Sequence, residues 1–322
     1  MKGLSKVSAT WQEVEDEAAG QRVDNYLTKL LKGVPKSHIY RILRSGEVRV
    51  NSRRVGPDYR LRGGDRIRLP PVRTARPATA PRLAPAPGFK PDVLLEDDAL
   101  LAINKPAGMA VHGGSGISHG IIESLRLQRP GERFLELAHR LDRETSGVLL
   151  LAKRRAALLA LHRQLREGTA QKFYHVLVKG DWHDDQRNVK LPLQKYVLAS
   201  GERRVAVNQG GAPAHTVFRL RRQWGGYSLL EAELRTGRTH QIRVHLAHLG
   251  FPVAGDDKYG DFALNKQLTR RGLRRMFLHA FKLVIAHPRT GAALTLEAPL
   301  PDELRSFLSE LDAGDPRVVP SR

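Results

Sequence analysis

The chain has 322 residues and no cysteine. Disulfides, thiolate nucleophiles and cysteine-ligated zinc or iron–sulfur centres are therefore excluded. No apolar run approaches the roughly 18 residues that a membrane-spanning helix requires. The N-terminus, "MKGLSKVSATWQEVEDEAAG", lacks the apolar segment of a secretion signal and turns acidic early, which predicts a cytoplasmic protein. The chain contains no HExxH pair and no GxGxxG, the spacings that mark zinc hydrolases and dinucleotide folds. Acid is also scarce: 33 Asp and Glu face 54 Lys and Arg, a formal net charge of +21. Solubility alone typically asks for a net charge of about 2–8. The excess points to a polyanionic partner, nucleic acid ahead of an anionic membrane surface.

Hydrophobic residues make up 41% of the chain, so it is globular, and its length suggests two or so domains. "RVDNYLTKLLKG" places Val23, Tyr26, Leu27, Leu30 and Leu31 at helical spacing, ended by Gly33 and Pro35. "PKSHIYRILRSGE" predicts a second short helix with Ile39, Ile42 and Leu43 inward. "VRVNSRRV" reads as a hairpin turning at Asn51-Ser52, and "LRGGDRIRLP" as a further turn and strand. Residues 22–70 hold 13 Lys and Arg against four Asp and Glu. Lys36, Arg41 and Arg44 share the outer side of the second helix, and Arg49, Arg53 and Arg54 sit on the hairpin. A helix–helix–hairpin charged on one side suits RNA backbone. This stretch resembles the S4 RNA-binding domain.

The chain then divides into an N-terminal extension (1–19), the S4-like unit (20–70), a Pro/Ala-rich linker (71–90), a large unit (91–312) and a C-terminal tail (313–322). Within the large unit, "DVLLEDDALLAINKP" predicts two strands around an Asp-Asp turn and "GVLLLAK" a short buried strand. "RRAALLALHRQLREG" is a helix and "QKFYHVLVKG" a strand. "HTVFRLRRQWGGYSLLEAEL" is a hairpin and "THQIRVHLAHLG" a short helix. "LVIAHPRTGAALTLEAP" is another hairpin, and "PDELRSFLSEL" a last helix. Hairpins dominate, so the expected class is α+β with a mostly antiparallel mixed sheet.

Two segments carry candidate chemistry. In "HRLDRETSG" (139–147), Asp142 lies between Arg140 and Arg143 on a loop that runs into the buried strand. A loop held by a core strand positions a side chain well, although Asp also suits a turn or an ion pair. In "RTGRTHQIRVHLAHLG" (235–250), three readings compete. His245 and His248 stand at i and i+3, but no carboxylate accompanies them as a metal ligand. Thr239 could cap the helix while Arg238 pairs with phosphate. Arg243, one turn further on, could point inward to a buried carboxylate. The second and third are compatible. "VHGGSGISHG" (111–120) is a Gly-rich loop without an assigned role.

Taken together, "HRLDRETSGVLLLAK", "QKFYHVLVKG", "LRTGRTHQIRVHLAHLGFPVAGDDKYG" and "NKPAGMAVHGGSG" resemble the pseudouridine synthases of the RluA family. The resemblance covers nearly the whole chain past residue 20. It implies a pseudouridine synthase catalytic domain that isomerises uridines of 23S ribosomal RNA, free or in a large-subunit assembly intermediate. It implies Asp142 as the catalytic aspartate, Tyr174 as the active-site tyrosine and Arg243 as the basic partner. Arg140 would enter the RNA stack, with Arg238 and His240 as further RNA contacts. Asp142 would either attack C1′ or draw a proton from the sugar. Breaking N1–C1′ and joining C5 to C1′ consumes no water and moves no electrons to a cofactor, so no metal, small-molecule cofactor or membrane is expected, and the protein is read as a monomer. The competing reading is a non-catalytic S4-type rRNA-binding or assembly protein, which has no need of Asp142.

Overall fold

The computed structural model describes residues 9–15, 18–31, 33–72, 89–113 and 120–314. Most of the linker, residues 114–119 of the Gly-rich loop and residues 315–322 of the tail lie outside that set. The chain divides into two compact units, Met1–Ala84 and Pro85–Arg322.

The first unit holds β1 (Thr10–Glu13), α1 (Val23–Leu30), α2 (Lys36–Arg44), β2 (Arg49–Val50) and β3 (Arg66–Leu69), with the strands in the order β1-β3-β2. Val23, Leu27, Ile39, Ile42 and Leu43 from the helices are buried with Val48, Val50, Leu61 and Ile67, so the predicted helical faces form this core. Leu30 lies on the exposed side. Asn51 and Ser52 both have positive φ, and Val50 and Arg53 exchange two backbone hydrogen bonds around them. This left-handed two-residue turn fits the twist of a hairpin. The unit starts earlier than residue 20. Thr10–Glu13 pairs with β3, Thr10 opposite Leu69, and Val14 is buried in the core. Four residues are too few to show a period, and their partner lies more than fifty residues away.

The second unit is built on a ten-stranded sheet. Its elements are β4 (Asp92–Glu96), β5 (Leu100–Lys105), α3 (Ile121–Gln128), β6 (Glu136–Leu137), β7 (Ser146–Ala152), α4 (Arg155–Glu167), β8 (Gln171–Lys179), β9 (Gln186–Val189), β10 (Leu193–Val197), β11 (Arg203–Val207), β12 (Thr216–Trp224), β13 (Tyr227–Leu234), α5 (Gln241–His248), α6 (Phe262–Arg270), β14 (Leu278–Ala286), β15 (Ala293–Glu297) and α7 (Asp302–Gly314). The strand order is β4-β5-β7-β14-β8-β13-β12-β9, with β15 on β14 and β6 on β7, while β10 and β11 form a separate hairpin. Among the described pairs only β7 with β14 is parallel. The class is α+β and the sheet mostly antiparallel.

β7 explains the apolar run that follows Asp142. All seven residues are buried. Leu149 and Leu151 enter the core on one face, and Val148, Leu150 and Ala152 the core on the other. A strand covered on both faces reads as a continuous apolar run rather than an alternation. Gly147, the second residue of the strand, has φ +114°, and a Cβ there would stand 2.2 Å from the Ala280 carbonyl oxygen of β14. The glycine is what lets the parallel strand approach so closely. Strand β8 is similarly two-sided: Tyr174, Val176 and Val178 face one core and Leu177 another.

Candidate active site

Asp142 sits on a loop gripped from beneath. Lys105, at the end of β5, is fully buried. Its Nζ donates to the carbonyl oxygens of Pro106 (2.8 Å), Arg143 (3.0 Å) and Thr145 (2.8 Å). The Gly108 N–H donates to the Arg143 carbonyl, and the Thr145 N–H to that of Asp142. His139 accepts the Leu150 N–H at 3.1 Å, and burial pushes its imidazole down to about 4, so it holds this bond in the neutral form. The loop is therefore tied to β5 and β7 by its backbone. The Asp142 side chain stays 20% exposed at the cavity wall.

Arg243 projects from α5 and is 5% exposed. Its Nε and Nη2 each donate at 2.7 Å to the carboxylate of Asp256, which is wholly buried. Asp256 also accepts the backbone N–H groups of Lys258 (2.8 Å) and Tyr259 (3.0 Å). Burial works against the guanidinium charge, but the hydrogen-bonded Asp256 outweighs it and Arg243 is held above its ordinary value. The same donors hold the Asp256 carboxyl low against its burial. The third nitrogen, Nη1, faces Asp142 Oδ2 at 3.5 Å. His240 Nε2 lies 3.8 Å from the other oxygen, Oδ1.

These groups open on a cavity of about 570 Å³ whose lining includes Arg140, Asp142, Tyr174, Arg238, His240 and Arg243. A neighbouring cavity of about 440 Å³ shares Arg140, Asp142, His240 and Arg243 and reaches Lys258 and Glu202. Tyr174 is buried, and among the described residues its hydroxyl has no hydrogen-bond partner. Burial pushes this phenol up, and the Asp142 charge adds to the shift, so it keeps its proton at neutral pH. The geometry thus places a carboxylate between two basic side chains beside an aromatic ring, in a space large enough for a nucleoside.

Several expectations change. Thr239 does not cap α5. The cap position is His240, with φ 55° and ψ 22° and no side-chain capping bond. Gln241 organises the turn instead: its Oε1 accepts from the Arg238 N–H and the Thr236 hydroxyl, and its Nε2 donates to the His215 carbonyl and to Thr216 Oγ1. A left-handed residue at the junction displaced the cap by one position. The metal reading of His245 also falls, because its Nδ1 pairs with Thr216 Oγ1 (3.0 Å) and its Nε2 with the Leu191 carbonyl (2.9 Å). Arg238 lines the cavity while its Nε donates to the Pro213 carbonyl.

Residue-by-residue reading missed Lys105, Asp256 and Tyr259. Lys105 and Asp256 are charged residues inside apolar surroundings, visible in "NKPAG" and "VAGDDKYG", but nothing local says what they hold. Arg166 and the half-buried Lys172 also line the larger cavity, and neither pairs with a carboxylate among the described residues. In the first unit Lys36, Arg41, Arg44, Arg49, Arg53 and Arg54 are all exposed. Arg49 donates to the Gly46 carbonyl and Arg54 to that of Ser45, which brings the hairpin cations to the end of α2, where a shallow pocket is lined by Tyr40, Arg41 and Arg44.

Residues 99–248 match the family described as RNA pseudouridylate synthase, and residues 21–67 match the S4 domain. The chain is 52% identical over 301 residues to ribosomal large subunit pseudouridine synthase C of Pasteurella multocida (strain Pm70), covering 92% of each chain. It is 52% identical over 300 residues to the protein of the same name from Escherichia coli (strain K12), covering 92% of this chain and 94% of that one. Among solved structures, human RNA pseudouridylate synthase domain containing 4 is similar with a TM-score of 0.55 and 26% identity, over 68% of this chain and 92% of that one. Human RNA pseudouridylate synthase domain containing 1 shares the fold, with a TM-score of 0.56 and 24% identity over 68% of this chain and 87% of that one.

Proposed function

The chain belongs to the RNA pseudouridylate synthase family, and from that membership we propose that it isomerises specific uridines of 23S ribosomal RNA to pseudouridine during large-subunit maturation. The reaction breaks N1–C1′, turns the uracil, joins C5 to C1′, and moves the C5 proton off the ring as N1 gains one. One carboxylate suffices, because the base never departs and no water need be activated, unlike glycoside hydrolysis.

We assign Asp142 as the group that acts on the sugar and Arg243 as the cation that favours its charged form. Tyr174 is the ring against which the uracil rests. The observation that carries this reading is Arg243 Nη1 facing Asp142 Oδ2 at 3.5 Å on the wall of a cavity that Tyr174 also lines. At 3.5 Å the guanidinium charge favours the ionised form of the carboxylate. The target uridine must leave its stack to reach Asp142, at a cost of a few kcal/mol. Arg140, exposed at the mouth of both cavities, is assigned to fill the gap, since a guanidinium stacks and hydrogen-bonds at once. The exposed cations of the S4 domain supply sequence-independent affinity for the RNA backbone. The protein acts as a cytoplasmic monomer with no small-molecule cofactor in this reading. No described helix is long and apolar enough to cross a membrane.

A non-catalytic RNA-binding role is not favoured, since the relatives above are named as synthases. Tritium release from 5-tritiated uridine in large-subunit rRNA transcript tests the proposal. Wild type should release it and Asp142→Asn should not; release by neither would return the binding role.

A further inference from the structure

Asp142 has two oxygens, and each faces a different side chain: Oδ2 faces Arg243 and Oδ1 faces His240. A single residue braces both of those side chains. The Tyr259 ring lies under the Arg243 guanidinium, 5.1 Å from its Cζ. The Tyr259 hydroxyl lies 2.9 Å from His240 Nδ1, and the two rings meet edge to face at 5.5 Å. That hydroxyl already accepts the Val205 N–H of β11 at 3.0 Å, so its own proton is free to be given to Nδ1. A neutral imidazole that accepts at Nδ1 carries its proton on Nε2, the nitrogen that faces Asp142. Burial lowers the basicity of His240, and the Asp142 charge partly restores it. The Tyr259 backbone N–H in turn donates to Asp256, the carboxylate that grips Arg243. His240 is also one of three described non-glycine residues with positive φ. The other two make the Asn51-Ser52 turn, but His240 sits at the mouth of a helix without capping it. A backbone held in this region is tolerated where the surroundings over-determine it.

We infer that His240 and Tyr259 are positioning residues for the isomerisation: the Tyr259 hydroxyl, anchored by the Val205 N–H, fixes the His240 ring so that its Nε2 proton orients Asp142 through Oδ1. The carboxylate is then set by two N–H groups, a charged one from α5 and a neutral one from the residue that precedes that helix, and both are braced by one tyrosine. His240 serves the aspartate rather than the RNA backbone. The inference rests on Asp142 being the reacting group.

The test uses the full chain in single-turnover assays on rRNA transcript with enzyme in excess, beside equilibrium RNA binding. Tyr259→Phe removes only the hydroxyl and keeps the ring under Arg243. His240→Asn keeps a residue that tolerates positive φ but falls short of Asp142. Each should slow the chemical step by about tenfold, the usual scale for one missing orienting hydrogen bond, and leave RNA affinity within about twofold. Because the tyrosine acts through the histidine, the double variant should be no slower than His240→Asn alone. Weakened RNA binding with an unchanged saturated rate for His240→Asn would overturn the inference, as would losses that multiply in the double variant. Should Tyr259→Phe fail to fold, the split between rate and affinity in His240→Asn decides. Asp142→Asn is the control: if it retains activity, the reading of the site itself has failed. If it is inactive while both single variants turn over at the wild-type rate, only the positioning inference fails.

Discussion

Arg243→Met separates the two tasks of one guanidinium. Arg243 closes a bidentate pair with the buried Asp256 and faces Asp142 at 3.5 Å. Removing one side of a buried ion pair costs about 3–5 kcal/mol, because the remaining charge is stranded. Asp256 keeps the N–H groups of Lys258 and Tyr259, so we expect a loss near the lower end, about 3 kcal/mol. For a unit of this size that is a fall in Tm of about 6–12 °C, and the protein stays folded. Adding Asp256→Asn removes the stranded charge yet still accepts those N–H groups. The double variant should return to within about 1–2 kcal/mol of wild type. Activity should not follow. Opposite charges about 4 Å apart interact by about 4 kcal/mol at an effective dielectric of about 20. Asp142 is 20% exposed, so solvent takes a share. We expect about 3 kcal/mol, or about a hundredfold in single-turnover rate. Calorimetry and tritium release with excess enzyme measure the two quantities. If the double variant regained its rate together with its stability, Arg243 would be only the partner of Asp256, and the catalytic assignment would fall.

Tyr174→Phe should change stability by less than about 1 kcal/mol, because the ring remains and the hydroxyl has no described partner to lose. With the ring that the uracil rests on retained, the single-turnover rate should stay within about twofold at unchanged RNA affinity, and a fall of about tenfold would give the hydroxyl a part in the reaction beyond stacking. Burial pushes His139 and His279 down to about 4, against about 6.5 in the unfolded chain. The unfolded state therefore binds more protons between those values, and stability should be lost as pH falls from about 6.5, by up to about 1.4 kcal/mol per pH unit per histidine. Urea midpoints between pH 7.5 and 5 measure this; a flat profile would contradict it, and His279→Gln should shallow the slope. Replacing Arg41 and Arg44 together by Gln should reduce the slope of log affinity against log salt by about 1 for each phosphate that is no longer neutralised. The saturated single-turnover rate should stay the same, and an unaltered slope would remove these residues from the RNA surface.

Local pattern carried much of this molecule. Helical spacing in "RVDNYLTKLLKG" and "RRAALLALHRQLREG", the unbroken run after Gly147 and the turn residues between paired strands each act over a few residues, so the one-dimensional order suffices to read them. The excess of positive charge pointed to a polyanion for the same reason, since charge adds up wherever the chain goes. The short, weakly periodic elements stayed hidden. β1 gains its strand only from β3, and the β10–β11 hairpin carries too little apolar alternation to announce itself. The active site was legible as a set of quoted segments, but their convergence was not. Asp142 comes from the loop before β7, Tyr174 from β8 and Arg243 from α5, and packing of a ten-stranded sheet brings them to one cavity. Which buried carboxylate Arg243 grips, which carbonyls Lys105 holds and which tyrosine braces His240 were decided only there. Those pairings join residues far apart in the chain, and their energies depend on burial and on distances of a few ångströms that no spacing along a sequence encodes.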